Sequence, residues 1–154
     1  MRTFLAVPVL AAALFAGLAS PARASSGHAS GTFSFVSDDL EFRGAIGANL
    51  VFSEVAVISY AGDLSGTATD TDVFILHPDG SFEAHGTESC TLCTLAGKHG
   101  SFTSTFTFSG IGFSYRGALT FTGGTGGLAG IHGGGPFQGD DTGNSYSYAY
   151  GMLG

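Results

Sequence analysis

Residues Thr120–Gly139 read TFTGGTGGLAGIHGGGPFQG, nearly half of them glycine. The alternating run Ala118-Leu119-Thr120-Phe121-Thr122 leads into this stretch, and Pro136-Phe137-Gln138-Gly139 leaves it as the start of another strand. Glycine alone reaches positive φ without steric cost, so the segment reads as backbone bent tightly between two β-strands. Its letters also spell a dinucleotide-like pattern, Gly124-Thr125-Gly126-Gly127-Leu128-Ala129. The following Gly130-Ile131-His132-Gly133-Gly134-Gly135 cannot open a stable helix, and without a helix N-terminus a pyrophosphate has no dipole to sit on. A P-loop is excluded because no Lys and Ser/Thr pair follows the glycines.

Outward from this corner the period is two. Phe102, Phe106 and Phe108 share one face of Ser101–Ser109, with Thr103, Thr105 and Thr107 on the other. Phe113, Tyr115, Leu119 and Phe121 alternate with Ser114, Arg116, Ala118 and Thr120, and near the C-terminus Tyr146, Tyr148, Tyr150 and Met152 form a similar stripe. Further strands are expected at 31–37, 50–60, 66–77 and 81–89, with tight turns at His77-Pro78-Asp79-Gly80 and at Ala96–Gly100. Asp38, Asp39 and Glu41 read as a solvated loop. Short strands separated by turn signals, with no helical period between them, predict an all-β fold: a single antiparallel, closed β-barrel of about eight strands.

The first residues read differently. Arg2, an apolar run from Phe4 to Leu18, and Ala22-Arg23-Ala24 predict a secretory signal peptide over 1–24, which leaves one barrel domain over 25–154 and a secreted, extracellular protein. Cleavage after Ala24 removes Arg2 and Arg23 and no acid, so a formal charge of −7 becomes −9. Three cations, Arg43, Lys98 and Arg116, then face 12 carboxylates, a balance that disfavours nucleic acid and anionic membranes as partners. Self-association stays open.

The glycine segment Phe121–Gly135 resembles the GGTG-x-[LF]-A-G-x-x-G signature of the allene oxide cyclase and dirigent-like barrel superfamily. Ala29–Phe33, Gly62–Gly66 and Gly97–Phe102 are similar to a bacterial, uncharacterised branch of it, in the same order along the chain. The resemblance implies an eight-stranded antiparallel barrel whose lumen, in the plant relatives, steers cyclisation or coupling of small apolar molecules. Such catalysis relies on confinement, needs no cofactor and leaves little motif. The catalytic residues of the plant cyclases are not carried over onto this chain.

Individual residues complete the expectation. Cys90-Thr91-Leu92-Cys93 holds the chain's two cysteines, which in an exported protein read as a disulfide; a redox pair lacks its helix, and a metal site would have to recruit His85 and His99, so no metal is expected. Glu54 interrupts an apolar strand on the face of Leu50, Phe52, Ala56, Ile58 and Tyr60, where desolvation would raise its pKa and suit a general acid or ligand anchor. Asp70 and Asp72 share a face but are too few to hold a hard cation alone. Two functional readings follow: a binding barrel that holds a small apolar or aromatic molecule against Phe52, Tyr60, Phe106, Phe108, Phe113 and Phe121, or a cofactor-free cyclase or isomerase using Glu54, Tyr115 and Arg116. A third is an interaction protein with a filled barrel. A cavity well under roughly 300 Å³ counts against the first two, and Glu54 on the outer surface would remove the main support for an enzyme.

Overall fold

The computed structural model describes residues 24–153, so the expected leader falls outside the described residues but for Ala24. Eight strands follow in chain order: β1 Ser25–Ile46, β2 Asn49–Gly62, β3 Leu64–Leu76, β4 Ser81–Leu95, β5 Lys98–Ile111, β6 Ser114–Gly126, β7 His132–Asp140 and β8 Gly143–Met152. Every strand pairs antiparallel with its sequence neighbour, and β1 pairs with both β2 and β8, so one sheet closes into a ring.

The turns arise from the residues that allow them. At His77–Gly80 the Gly80 amide donates to the His77 carbonyl at 3.0 Å, and Gly80 takes φ +82°. Ala96 and Gly97 both have positive φ, 50° and 78°, the two-residue reversal whose twist suits a hairpin. In the glycine stretch, β6 runs on through Gly126 and the reversal is confined to Gly127–Gly130. The Gly127 amide donates to the His99 carbonyl at 2.7 Å, which ties this corner beneath β5.

The expected barrel with a ligand-sized lumen is corrected by the packing inside the ring. One end is plugged: Leu64, Leu95 and Leu128 are fully buried there, with Cys93, Ile131 and Met152 at no more than 2% exposure. Aromatic rings fill the next layer, where Phe102 meets Phe121 at 5.3 Å, Phe121 meets Tyr148 at 5.7 Å, and Tyr146 stacks on Tyr148 at 4.9 Å. The Tyr146 hydroxyl accepts from the Leu64 amide at 2.8 Å and lies 3.0 Å from the Leu64 carbonyl, to which it donates, so this layer is locked to the plug. The ring is therefore a closed sheet wrapped on a core, with no open tube through it.

Its walls are also uneven. β8 covers β1 from Ser25 to Phe33, whereas β2 pairs with β1 as far as Ile46. Beyond Phe33 the β1–β2 hairpin rises above the opposite rim with one side of β1 unpaired. Bulges near Val36 and Arg43 break the period of two across this segment. The strand therefore extends through Asp38, Asp39 and Glu41, which correct the expected loop, and Asp38 stands opposite Ala56 in the register.

Candidate functional site

The unplugged end, where the β1–β2, β3–β4, β5–β6 and β7–β8 turns gather, is lined differently. From the raised wall inward, Phe42 meets Phe52 at 5.6 Å, Phe52 meets Phe74 at 6.2 Å, Phe74 stacks on Phe82 at 5.3 Å, and Phe82 meets Phe108 at 6.1 Å. Phe108 continues to Tyr115 at 5.7 Å and to Phe137 at 6.2 Å. These rings come from β1 through β7 and form a belt around the mouth. The spacing follows from the register, because Phe42, Phe52 and Phe74 oppose one another in adjacent strands and so share one inward-facing row.

Below the belt lies a floor of acids. Glu54 opposes Asp72 across β2 and β3, and Asp70 opposes Glu88 across β3 and β4. Direct cross-strand neighbours sit about 5 Å apart at Cβ, so two like-charged pairs are stacked on one inner face. Glu54 and Asp72 are each 6% exposed and Glu88 is 2% exposed. The Tyr60 hydroxyl donates to Glu88 Oε2 at 2.7 Å, while the Ser104 hydroxyl lies 3.5 Å from its other oxygen. Asp70 Oδ1, Asp72 Oδ1 and the Tyr148 hydroxyl are buried without a hydrogen-bond partner.

Burial dictates the titration, and neighbouring carboxylates reinforce it. Burial, then the Asp72 and Asp38 charges, push Glu54 up to about 8. Burial and the neighbouring Glu88 push Asp70 up to about 9, and burial with Asp38 pushes Asp72 up to about 6. Glu88 is raised by burial, with its hydroxyl donors pulling the other way. Between these groups and the rings is a cavity of about 30 Å³, and it shares Phe33 and Tyr115 with an open depression of about 1130 Å³ at the rim. Among the described residues no three His, Cys, Asp or Glu side chains are grouped to hold a metal ion.

No protein-family model matches the chain, and no curated protein matches it in sequence. A solved structure does resemble it. A protein of unknown function from the DUF3224 family of Shewanella oneidensis MR-1 aligns with a TM-score of 0.71 at 16% identity, over 84% of this chain and 100% of the other. At that identity the likeness is one of fold, a related all-β architecture. It is not specifically a likeness to allene oxide cyclases or dirigent proteins, and the expected superfamily resemblance is corrected to a related all-β fold.

Several residues singled out by sequence come together. Glu54 faces the cavity, and Tyr60, Phe106, Phe108 and Tyr115 line it with the acids. Phe52 belongs to the aromatic belt. Tyr115 donates to Asn144 Oδ1 at 2.8 Å, which fixes its ring at the rim. Three placements are corrected. Arg116 falls on the outer, exposed face of β6, because Tyr115 and Gly117 on either side take the inner positions. Phe113 is 83% exposed in the β5–β6 turn, where the strand's alternation has ended. Phe121 is buried in the closed half, away from the mouth. Cys90 and Cys93 are joined by a disulfide across a β4 bulge. Glu88 escaped sequence reasoning, although its alternation with Ala84 and Cys90 was a usable signal.

Proposed function

We propose that this chain is an exported binding protein that seats a small aromatic or apolar molecule in the mouth of the ring, above the acidic floor. One observation carries the reading: seven aromatic side chains from seven strands form a continuous belt at the one end that is not plugged. Phe42 remains 58% exposed and Leu40 51% exposed on the inner side of the raised wall. Apolar surface gathered in a concavity and rimmed by polar turns is the pattern of a binding site. A cavity of about 30 Å³ is far too small to enclose a ligand, so the interior lumen is not the seat.

The test is a titration with the neutral fluorophore N-phenyl-1-naphthylamine. Saturable enhancement is expected, weakened about tenfold in Phe82→Ala and Phe108→Ala and unchanged in Leu92→Ala, which alters the outer face. Enhancement indifferent to the two mouth variants, or none at all, counts against the proposal.

A second reading rests on Glu54. With its pKa pushed up to about 8, the carboxyl holds a proton at neutral pH beneath a hydrophobic seat, the state required of a general acid in a cofactor-free isomerisation. Arg116, on the outer face, takes no part in it. Glu54→Gln would then abolish turnover and leave binding of the neutral probe intact.

A further inference from the structure

We propose that the molecule seated in this mouth is a primary amine with an aromatic or apolar body, its ammonium head descending between the rings to the Glu54–Asp72 pair. The proposal rests on the binding reading above and adds the chemistry of the head group.

The acidic floor sets carboxyls directly against one another. Two directly opposed carboxyl pairs occupy adjacent strands of one inner face, and Asp38 adds a fifth acid from β1. Among the described residues no cation faces them. Arg43 is exposed and pairs with Glu41 at 2.9 Å, Lys98 contacts Ser25 at the plugged end, and Arg116 points outward. Both carboxyls of a directly opposed pair cannot ionise together without destabilising the sheet, so each pair keeps a proton until a positive group placed among the acids takes its place.

An independent observation points the same way. The Tyr148 hydroxyl, on a side chain only 1% exposed, lines the cavity from β8 and has no hydrogen-bond partner. Asp70 Oδ1 and Asp72 Oδ1 are equally unpartnered from β3. Three buried polar atoms on two elements therefore surround a space with nothing to satisfy them, and each would otherwise bear the cost of an unmade hydrogen bond. An ammonium has three donors, and all three free atoms can act as acceptors.

Size and surroundings narrow the class. The cavity has room for a small head group, and the three N–H donors of –NH₃⁺ match the three unpartnered acceptors, whereas a trimethylammonium group has no hydrogen to donate to them. The carboxylates are spread along two rows rather than converging, and a calcium ion would need six to eight oxygens. The walls above are aromatic: Phe35, Phe106, Phe108 and Phe137 border the same cavity, and ring faces attract a cation while packing its apolar body.

Protons must leave for the ammonium to pair. Facing the head are Asp38 from β1, Glu54 and Tyr60 from β2, Asp70 and Asp72 from β3, Glu88 from β4, Tyr115 from β6 and Tyr148 from β8; β5 offers the neutral Ser104 and β7 contributes Phe137. Asp72, Glu54 and Asp70 lose their protons near pH 6, 8 and 9, so amine affinity rises over that interval while an ordinary alkylammonium, near pKa 10, stays charged.

The experiment is calorimetric titration of the purified protein with 2-phenylethylamine, its N-acetyl derivative and its N,N,N-trimethyl derivative. The amine is expected to bind at least tenfold tighter than either analogue at pH 8, with the margin shrinking at pH 5. Glu54→Gln and Asp72→Asn should each remove most of that margin, whereas Leu92→Ala on the outer face should leave it intact. Equal or tighter binding of the N-acetyl or trimethyl compound overturns the proposal. If a variant fails to fold, the comparison of three probes on the unaltered protein decides alone. Retained binding of N-phenyl-1-naphthylamine without an amine preference defeats the head-group assignment only, whereas loss of both defeats the mouth reading as well.

Discussion

Glu54, Asp70 and Asp72 are inner-face carboxyls whose pKa values lie above those of the unfolded chain, at about 8, 9 and 6. A raised carboxyl contributes stability that is fully present below its unfolded pKa, near 4, and is lost as pH rises through its folded value. The folded protein should thus be most stable near pH 5 and weaken towards pH 9. Asp79 and Asp140 are lowered by hydrogen bonds from Ser81 and Thr142, so their contribution fades only below about pH 4 and leaves this window untouched. Thermal unfolding should show a midpoint at least about 4 °C higher at pH 5 than at pH 9, and Glu54→Gln should narrow the gap. A midpoint rising with pH would contradict the burial of these acids. Glu54 was legible in sequence because a charge among Leu50, Phe52, Ala56 and Ile58 conflicts with its period. The alternation of β4 could place Glu88 on an inner face, but its opposition to Asp70 comes only from the pairing of β3 with β4, which no single strand encodes.

Strand identity was the most readable level, and strand ends the least. The Phe/Thr alternation of β5 and the turns at Gly80 and Gly97 announce themselves by residue type. The upper part of β1 does not, since its two bulges shift the period and its acids mimic a loop. Phe113 failed for the related reason that alternation continues in letters past the end of the strand. The glycine stretch, read correctly as a corner, serves strand contact as much as the turn. A Cβ on Gly134 would run into the Leu119 carbonyl of β6, whereas one on Gly123 would make only ordinary contact with Thr103 Oγ1 at 3.6 Å. Gly134→Ala is expected to cost about 2 to 3 kcal/mol in urea unfolding and Gly123→Ala under about 0.5 kcal/mol. Gly134 also takes φ +151°, which adds backbone strain that Gly123 lacks, so equal effects would contradict both the close approach and the strain at Gly134.

Across the whole molecule, closure of β1 on β8 creates two unlike ends. The plugged end consumes Leu64, Leu95, Leu128 and Met152 as core, and the opposite end leaves aromatic side chains around an acidic floor. Sequence patterning gave inward faces but not height along the ring, so it could not separate Phe121, which is core, from Phe52, which lines the mouth. Height is set by register and by the overshoot of the β1–β2 wall, both of which are properties of the assembled sheet. The account stands on that asymmetry. Its most direct test is aromatic ¹H–¹³C NMR of phenylalanine-labelled protein titrated with N-phenyl-1-naphthylamine. Saturable shifts are predicted at Phe52, Phe74, Phe82 and Phe108, with Phe102 and Phe121 unmoved; shifts at the plugged end, or none that saturate, would contradict it.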